Sequence, residues 1–128
     1  MIKNKVFRNI FKLAGFGESF QNAGRGIIYL FLYHRNMRII FMIGIAAFLL
    51  GFYLNLKGLE LIALCITITL VFMAEIFNTA VELMMNTIAD KYHIKIRLVK
   101  DIAAGIVVIT CLNAAVIGYV LFIRKLIR

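Results

Sequence analysis

The chain has 128 residues, 63% of them hydrophobic, and its mean hydropathy is +0.95. A soluble domain is roughly half apolar and cannot bury this much apolar surface at such a length, so we expect a membrane protein. The net charge is +9, but Lys and Arg stand at the ends of apolar runs and not between exposed aromatic residues. They therefore favour anionic lipid headgroups as partners and argue against nucleic acid.

Residues 1–35 are predicted to form interfacial helices. Within residues 2–13, apolar side chains fall on one side of a helix and basic ones on the other, as in segments that lie along a membrane surface. Gly15 and Gly17 are expected to interrupt this helix. The apolar stretch that leads up to His34 is too short to cross a bilayer alone, so we expect it to form a second, partly buried helix.

Three longer apolar runs predict transmembrane helices at about 37–56, 59–88 and 99–123, because about 20 apolar residues cross a bilayer. A tight turn at 55–58 joins the first two helices. Eleven of the fifteen Lys and Arg residues lie before the first span, between the second and third, or in the first two residues of the span that follows, which predicts that both segments are cytoplasmic. The predicted fold class is an all-α membrane protein with three transmembrane helices per subunit and an N-terminal amphipathic interfacial helix, in a single domain over 1–128.

Some familiar site patterns are absent from the sequence. Cys65 and Cys111 lie inside apolar runs without metal-ligand spacing, so we expect them to be buried small apolar side chains. The G-x-x-x-x-G-K-[ST] motif does not occur, so any nucleotide chemistry is not that of a P-loop.

A polar stripe runs along the second span. Glu75, Asn78 and Glu82 are spaced i, i+3, i+7, which places them on one face of a helix, and Asn86 continues the stripe. Each ionisable group in a membrane helix costs about 2.5–3.5 kcal/mol unless it finds a partner or water. The stripe could hold helices together by hydrogen bonds, or it could bind a cation or move a proton. Two carboxylates without a matching cation in their own helix favour the second interpretation.

The third span begins with a feature that matches the stripe. Lys100 and Asp101 lie at its cytoplasmic boundary and are followed by small residues at 103–105. A lysine that reaches to the interface and an aspartate at a helix start are common in membrane helices. Together with the stripe, however, they offer carboxylates, an amide and an ammonium at one membrane depth. Such a set could bind Mg²⁺ with phosphates and deprotonate a hydroxyl.

Two motifs resemble a known family. The segment AEIFNTAVELMMN (74–86) resembles the E-x-x-N-[ST]-[AS]-[IV]-E signature of the prokaryotic diacylglycerol kinases, a family that includes undecaprenol kinases. LVKDIAAG (98–105) is similar to the family's A-K-D motif. The resemblance implies a homotrimer with shared active sites in the bacterial inner membrane. It also implies transfer of the ATP γ-phosphate, with Mg²⁺, to a lipid alcohol such as diacylglycerol or undecaprenol at the cytoplasmic face.

The resemblance also implies roles for individual residues. Glu75 matches the catalytic base, and Asn78 matches an asparagine that lies with Glu75 at the substrate. Glu82 matches a Mg²⁺ ligand. The residues implied in nucleotide binding are Lys100, Asp101, Glu82 and Asn86.

The sequence departs from the family pattern at two positions. His34 stands where relatives have a metal-binding Glu, although Mg²⁺ prefers oxygen ligands, and Asn86 stands where relatives usually have Asp. The chain could be a working kinase in which ATP phosphates, water or Glu18 complete the metal shell around Glu82 and His34. It could also be a degenerate member with weak or no activity, or an unrelated three-span protein such as a holin or transporter subunit. The two motifs do not indicate which lipid is the acceptor.

Overall fold

The structure is a computed structural model that describes residues 2–88 and 94–127, with the backbone alone for 2–14. The helices in these ranges are α1 (Ile2–Tyr33), α2 (Arg35–Tyr53), α3 (Leu59–Ile88), α4 (Ile94–Gly118), a π-helical segment (Tyr119–Ile123) and α5 (Arg124–Ile127). No strand occurs among the described residues. The chain divides into two compact units, residues 1–35 and residues 36–128.

The N-terminal unit consists of one helix, α1. The helix passes through Gly15 and Gly17 without a break, so the predicted interruption is wrong. Glycine lowers helix stability by about 1 kcal/mol relative to alanine but keeps its backbone hydrogen bonds, unlike proline, which this chain lacks. The Ser19 hydroxyl also donates to the Gly15 carbonyl at 2.6 Å. The location of α1 along the membrane surface stays a prediction.

A tight turn connects α2 to α3. Asn55 has a φ of 59°, and its backbone N–H donates to Phe52 while the N–H of Leu56 donates to Gly51. This pair of bonds is the Schellman arrangement, which ends a helix and satisfies its last carbonyls. A Cβ on Gly51 would lie 2.7 Å from a Leu64 methyl carbon, so any larger residue there would have to displace the Leu64 side chain. The turn therefore ends α2 at Tyr53, three residues before the predicted end of the span.

Helices α3 and α4 run antiparallel, and polar contacts join α3 to α4 at one end and to the short helix α5 at the other. Lys100 Nζ donates to Asn86 Oδ1 at 2.7 Å, and Lys125 Nζ lies 2.9 Å from Glu60 Oε2. Helix α3 covers the same residues as the second predicted span, whereas α4 begins at Ile94, five residues earlier than predicted. At about 1.5 Å per residue, α3 is longer than the ~30 Å hydrocarbon core, so its termini extend into the interface.

Within the described ranges, three helices are long and apolar enough to cross a membrane: Arg35–Tyr53, Leu59–Ile88 and Ile94–Ile127. The predicted fold class, an all-α membrane protein with three long apolar helices, is confirmed. Only 11%, 22% and 6% of their apolar windows are buried inside the chain, so most apolar side chains face outwards. Cys65 and Cys111 are both exposed for this reason, and the prediction that they are buried is wrong.

Candidate active site

The polar stripe on α3 changes from buried to exposed along the helix. Glu75 is 7% exposed, and Thr79, one turn later, is 3% exposed. Asn78 is half-buried, and Glu82 and Asn86 are exposed. The stripe therefore leads from a carboxylate inside the three-helix unit to polar groups that are open at the end of the helix.

Asn78 carries an unpaired polar atom. Its Oδ1 is buried and accepts no hydrogen bond from any residue that the structure describes. Leaving a buried acceptor unpaired costs about 1–3 kcal/mol, and buried polar atoms in proteins nearly always have a partner. The oxygen therefore marks a place where a ligand, a water molecule or a neighbouring subunit completes the structure.

Helix α4 contributes Lys100 to the exposed end of the stripe. Its ammonium donates to the amide oxygen of Asn86 at 2.7 Å. Because the asparagine is neutral, this hydrogen bond holds the lysine without cancelling its charge. An aspartate at position 86 would form an ion pair instead. The positive charge of Lys100 thus stays available to an anion such as a phosphate.

Asp101 lies beside Lys100 in sequence but points elsewhere. Successive residues on a helix are rotated by about 100°, and the Asp101 carboxylate lies 4.0 Å from Arg97 Nε, one turn earlier on α4. Both side chains are about two-thirds exposed, and exposed pairs of this kind contribute little to stability. The structure brings Lys100 into contact with the stripe, and the nucleotide-binding role of Asp101 stays a prediction.

His34 belongs to the N-terminal unit, directly after the end of α1. It is half-buried, its backbone N–H donates to Leu30 at 2.9 Å, and its ring packs edge-to-face on Tyr29 with a centroid distance of 5.9 Å. Glu18 is exposed in the same unit. The metal-binding roles considered for His34 and Glu18 stay predictions.

The donor set suits a metal ion that arrives with phosphates. Among the described residues, no three His, Cys, Asp or Glu side chains lie close enough together to hold a metal by themselves. Mg²⁺ is typically held by one or two carboxylates, and phosphate oxygens and water complete its shell. The exposed carboxylate of Glu82 fits such a site.

Two features of the structure had no counterpart in the sequence prediction. Thr79 is buried one turn after Glu75. The only indication of its importance in the sequence was that it directly follows Asn78 in the first family motif. The contact between Glu60 and Lys125 joins residues that are distant in sequence, and Lys125 also donates to the Asn55 carbonyl at 3.1 Å. These residues meet because α4 runs antiparallel to α3 and is followed by α5, which lies near the beginning of α3.

Comparison with known proteins identifies the family. Residues 21–122 match the model of the prokaryotic diacylglycerol kinases. The chain belongs to this family of lipid kinases. It is 33% identical over 110 residues to a diacylglycerol kinase of Synechocystis sp. and 33% identical over 123 residues to an undecaprenol kinase of Bacillus subtilis. These alignments cover 85% and 96% of this chain, which spans 63% of the first relative's length and 98% of the second's.

The family match confirms the resemblance that the two sequence motifs predicted. It also means that the hypothesis of an unrelated holin or transporter subunit is wrong. The relatives' names include two different acceptor lipids, so the match gives the enzyme class, a membrane lipid kinase, without the acceptor.

Proposed function

We propose that the protein transfers the γ-phosphate of ATP to the hydroxyl of a membrane lipid, either diacylglycerol or a polyprenol such as undecaprenol. The observation that carries this proposal is the buried pair formed by Glu75 and the unpaired Oδ1 of Asn78, at the inner end of a stripe whose outer end holds Lys100. A lipid hydroxyl approaches this stripe from the membrane interior, and a nucleotide approaches it from water. The two substrates can therefore meet along one helix face.

In this mechanism the chain supplies a base, an orienting group and a positive charge. The Asn78 amide orients the entering hydroxyl by donating a hydrogen bond from Nδ2 to the hydroxyl oxygen, so that the hydroxyl proton points at Glu75. Glu75 then takes the hydroxyl proton as the oxygen attacks the γ-phosphorus. The bond between the γ-phosphorus and the β,γ-bridging oxygen breaks, ADP leaves, and the proton passes from Glu75 to solvent. Lys100, held by Asn86, binds the phosphates electrostatically.

Glu82 would hold Mg²⁺ together with phosphate oxygens and water, and we propose His34 as a second group at the metal. When bound, the ion would neutralise part of the negative charge on the phosphates. We further propose that the active protein is a homotrimer with shared sites, located in the bacterial inner membrane with its site on the cytoplasmic side. The outward-facing apolar side chains of all three long helices and the distribution of basic residues support this arrangement.

A second candidate is a degenerate family member without kinase activity. The two positions that carry His34 and Asn86 in place of acids favour it, because a weaker metal site would slow phosphoryl transfer.

A lipid panel separates the two candidates. Purified protein in micelles is given radiolabelled Mg-ATP with diacylglycerol, undecaprenol or shorter polyprenols. We expect a labelled lipid monophosphate from at least one acceptor. Failure to label any of them, with protein that elutes as a single folded species, would favour the degenerate member.

A further inference from the structure

The chain has five threonines, and one of them differs from the others in its hydrogen bonding. The hydroxyls of Thr67, Thr69 and Thr87 each donate to the backbone carbonyl four residues earlier, at 2.7–2.8 Å. Thr110 donates to the carbonyl three residues earlier, at 2.9 Å. The Thr79 side chain makes no hydrogen bond with any residue that the structure describes. Its hydroxyl is thus not satisfied by the helix in which it lies.

The burial of Thr79 makes this exception informative. It is the most buried of the five threonines, with 3% of its surface exposed. A threonine inside a helix can satisfy its hydroxyl on the carbonyl of the preceding turn, as the other four do. A buried hydroxyl that leaves this bond unmade costs free energy unless another partner takes it. The position therefore indicates a partner other than the helix backbone.

The acceptor that α3 places beside this hydroxyl is the carboxylate of Glu75. Residues four apart on a helix differ by about 40° in direction, and a helical side chain leans toward the preceding turn, so Thr79 covers the turn that contains Glu75. Glu75 is 7% exposed, and its carboxylate has no hydrogen bond or ion pair with a described residue. A donor without an acceptor and an acceptor without a donor therefore stand one turn apart inside the three-helix unit.

The other polar side chains of the stripe do not replace Thr79 as a donor to this carboxylate. The unpaired atom of Asn78 is an acceptor oxygen, and two acceptors form no hydrogen bond. The ammonium of Lys100 donates to Asn86, about three turns further along α3. Among the described residues around the base, Thr79 is thus the donor that no other contact occupies.

We propose that Thr79 is a positioning residue for the base. Its hydroxyl donates a hydrogen bond to one carboxylate oxygen of Glu75, and the other oxygen takes the proton of the lipid hydroxyl. A carboxylate accepts about four hydrogen bonds on its two oxygens, so both contacts fit at once. A hydrogen bond to an ionised oxygen is charge-assisted and fixes the direction of the carboxylate. Thr79 acts only through Glu75, so this role rests on the proposed function of that carboxylate as the base.

Two buried threonines of α3 allow a matched test. Thr79→Val removes the hydroxyl and keeps the branched shape, whereas Thr67→Val makes the same change where the hydroxyl is bonded to the helix backbone. Kinetics are measured with Mg-ATP and an accepted lipid alcohol in micelles. We expect Thr79→Val to lower kcat roughly tenfold, with the KM for both substrates unchanged, because a hydrogen bond to a charged group is lost from the transition state. Thr67→Val should keep wild-type kinetics.

Thermal unfolding separates positioning from packing. Thr79→Val should melt at the same temperature as wild type or higher, because an apolar group replaces a buried hydroxyl that had no partner. Thr79→Ser keeps the hydroxyl but loses a buried methyl group, so it should melt at a lower temperature and retain most of the kcat. A residue that only packs would give the opposite order of activities, with an active Val variant and a weakly active Ser variant.

A double-mutant cycle tests whether Thr79 acts through the base. In a Glu75→Gln background, Thr79→Val should lower kcat by less than about twofold further, because residues that act as a unit have non-additive effects. Losses that multiply in the double variant would overturn the proposal. So would a wild-type kcat in Thr79→Val, an equal loss in Thr67→Val, or a raised KM for the lipid, which would place the hydroxyl on the substrate.

Failure of the proposed function has a different signature. Wild-type protein would then phosphorylate no lipid alcohol, or Glu75→Gln would be as active as wild type, and either result appears before any threonine is changed. An active enzyme that needs Glu75 but is indifferent to Thr79→Val would refute the role of Thr79 alone.

Discussion

The two ends of the α3–α4 pair are built differently. At the turn end, formed by Asn55, Glu60, Leu121 and Lys125 with the apolar residues around them, the Lys125 ammonium is paired twice, and Leu121 packs in a buried cluster with Leu56 and Leu64. At the stripe end, formed by the polar stripe and Lys100, one hydrogen bond from the lysine ammonium to a neutral amide joins the helices among the described residues, and a buried amide oxygen is unpaired.

The π-helical segment contributes to the contrast. It occupies Tyr119–Ile123 and includes Leu121, which belongs to the apolar cluster. Structural contacts are thus concentrated at the turn end, and polar groups that could act on a ligand at the stripe end. Mutations at the turn end should mainly affect stability, and those at the stripe end should mainly affect activity.

Apart from the loss of the base itself, the largest expected effect comes from the unpaired amide. Asn78→Leu should lower kcat/KM by about 100-fold, because it removes a group that orients the acceptor. Its melting temperature in detergent should be unchanged or higher, because replacing a buried unpaired polar group by an apolar one is neutral or stabilising. Asn113→Leu, at an exposed position on α4, is the matched control and should keep its activity. A large loss of stability in Asn78→Leu would mean that Asn78 has a structural role.

The next comparison uses Lys100 at the stripe end, on α4, and Lys125 at the turn end, on α5. Lys100→Ala should raise the KM for ATP by roughly 10–100-fold, because a charged hydrogen bond to phosphate contributes about 1.5–3 kcal/mol. Lys125→Ala should leave that KM unchanged and lower the free energy of unfolding by about 1 kcal/mol, the upper range for a partly exposed ion pair. Steady-state kinetics and thermal unfolding in the same micelles measure both. The reverse pattern would show that the contrast between the two ends is wrong.

A smaller effect should follow from restoring an acid beside Lys100. Asn86→Asp should form an ion pair with the ammonium and weaken ATP binding by up to about fivefold in the absence of Mg²⁺. Calorimetry with ATP and a chelator isolates this effect from metal binding, and raised salt should reduce it. Tighter ATP binding without metal would contradict the idea that the neutral asparagine preserves the lysine charge.

The smallest effect concerns the proposed metal site. His34→Glu should lower the Mg²⁺ concentration for half-maximal activity by a few fold, because a carboxylate is the better ligand for this ion. A titration of activity with Mg²⁺ at saturating ATP measures it, with His34→Gln as the uncharged control. An unchanged midpoint would mean that His34 is not at the metal.

Much of this fold could be predicted from the sequence because its determinants are local. Hydropathy over about 20 residues indicates the spans, and helical periodicity places Glu75, Asn78 and Glu82 on one face. The turn after α2 needed more than hydropathy, since it depends on the left-handed Asn55 and on the close approach at Gly51.

The features that could not be predicted depend on tertiary packing. Glu60 and Lys125 meet only because α4 runs antiparallel to α3 and is followed by α5. The same holds for the unpaired oxygen of Asn78, since its burial depends on neighbours that are distant in sequence.

The central claim is that Glu75 is the base of a lipid kinase site at the stripe end of α3. The most direct test compares Glu75→Gln with Glu60→Gln, the same change in the middle and at the beginning of one helix, with Mg-ATP and the preferred lipid alcohol in micelles. General bases typically contribute 10²–10⁴-fold, so we expect a loss of roughly 10³-fold in Glu75→Gln and a near wild-type kcat in Glu60→Gln. Full activity in Glu75→Gln, or an equal loss in both variants, would contradict the claim.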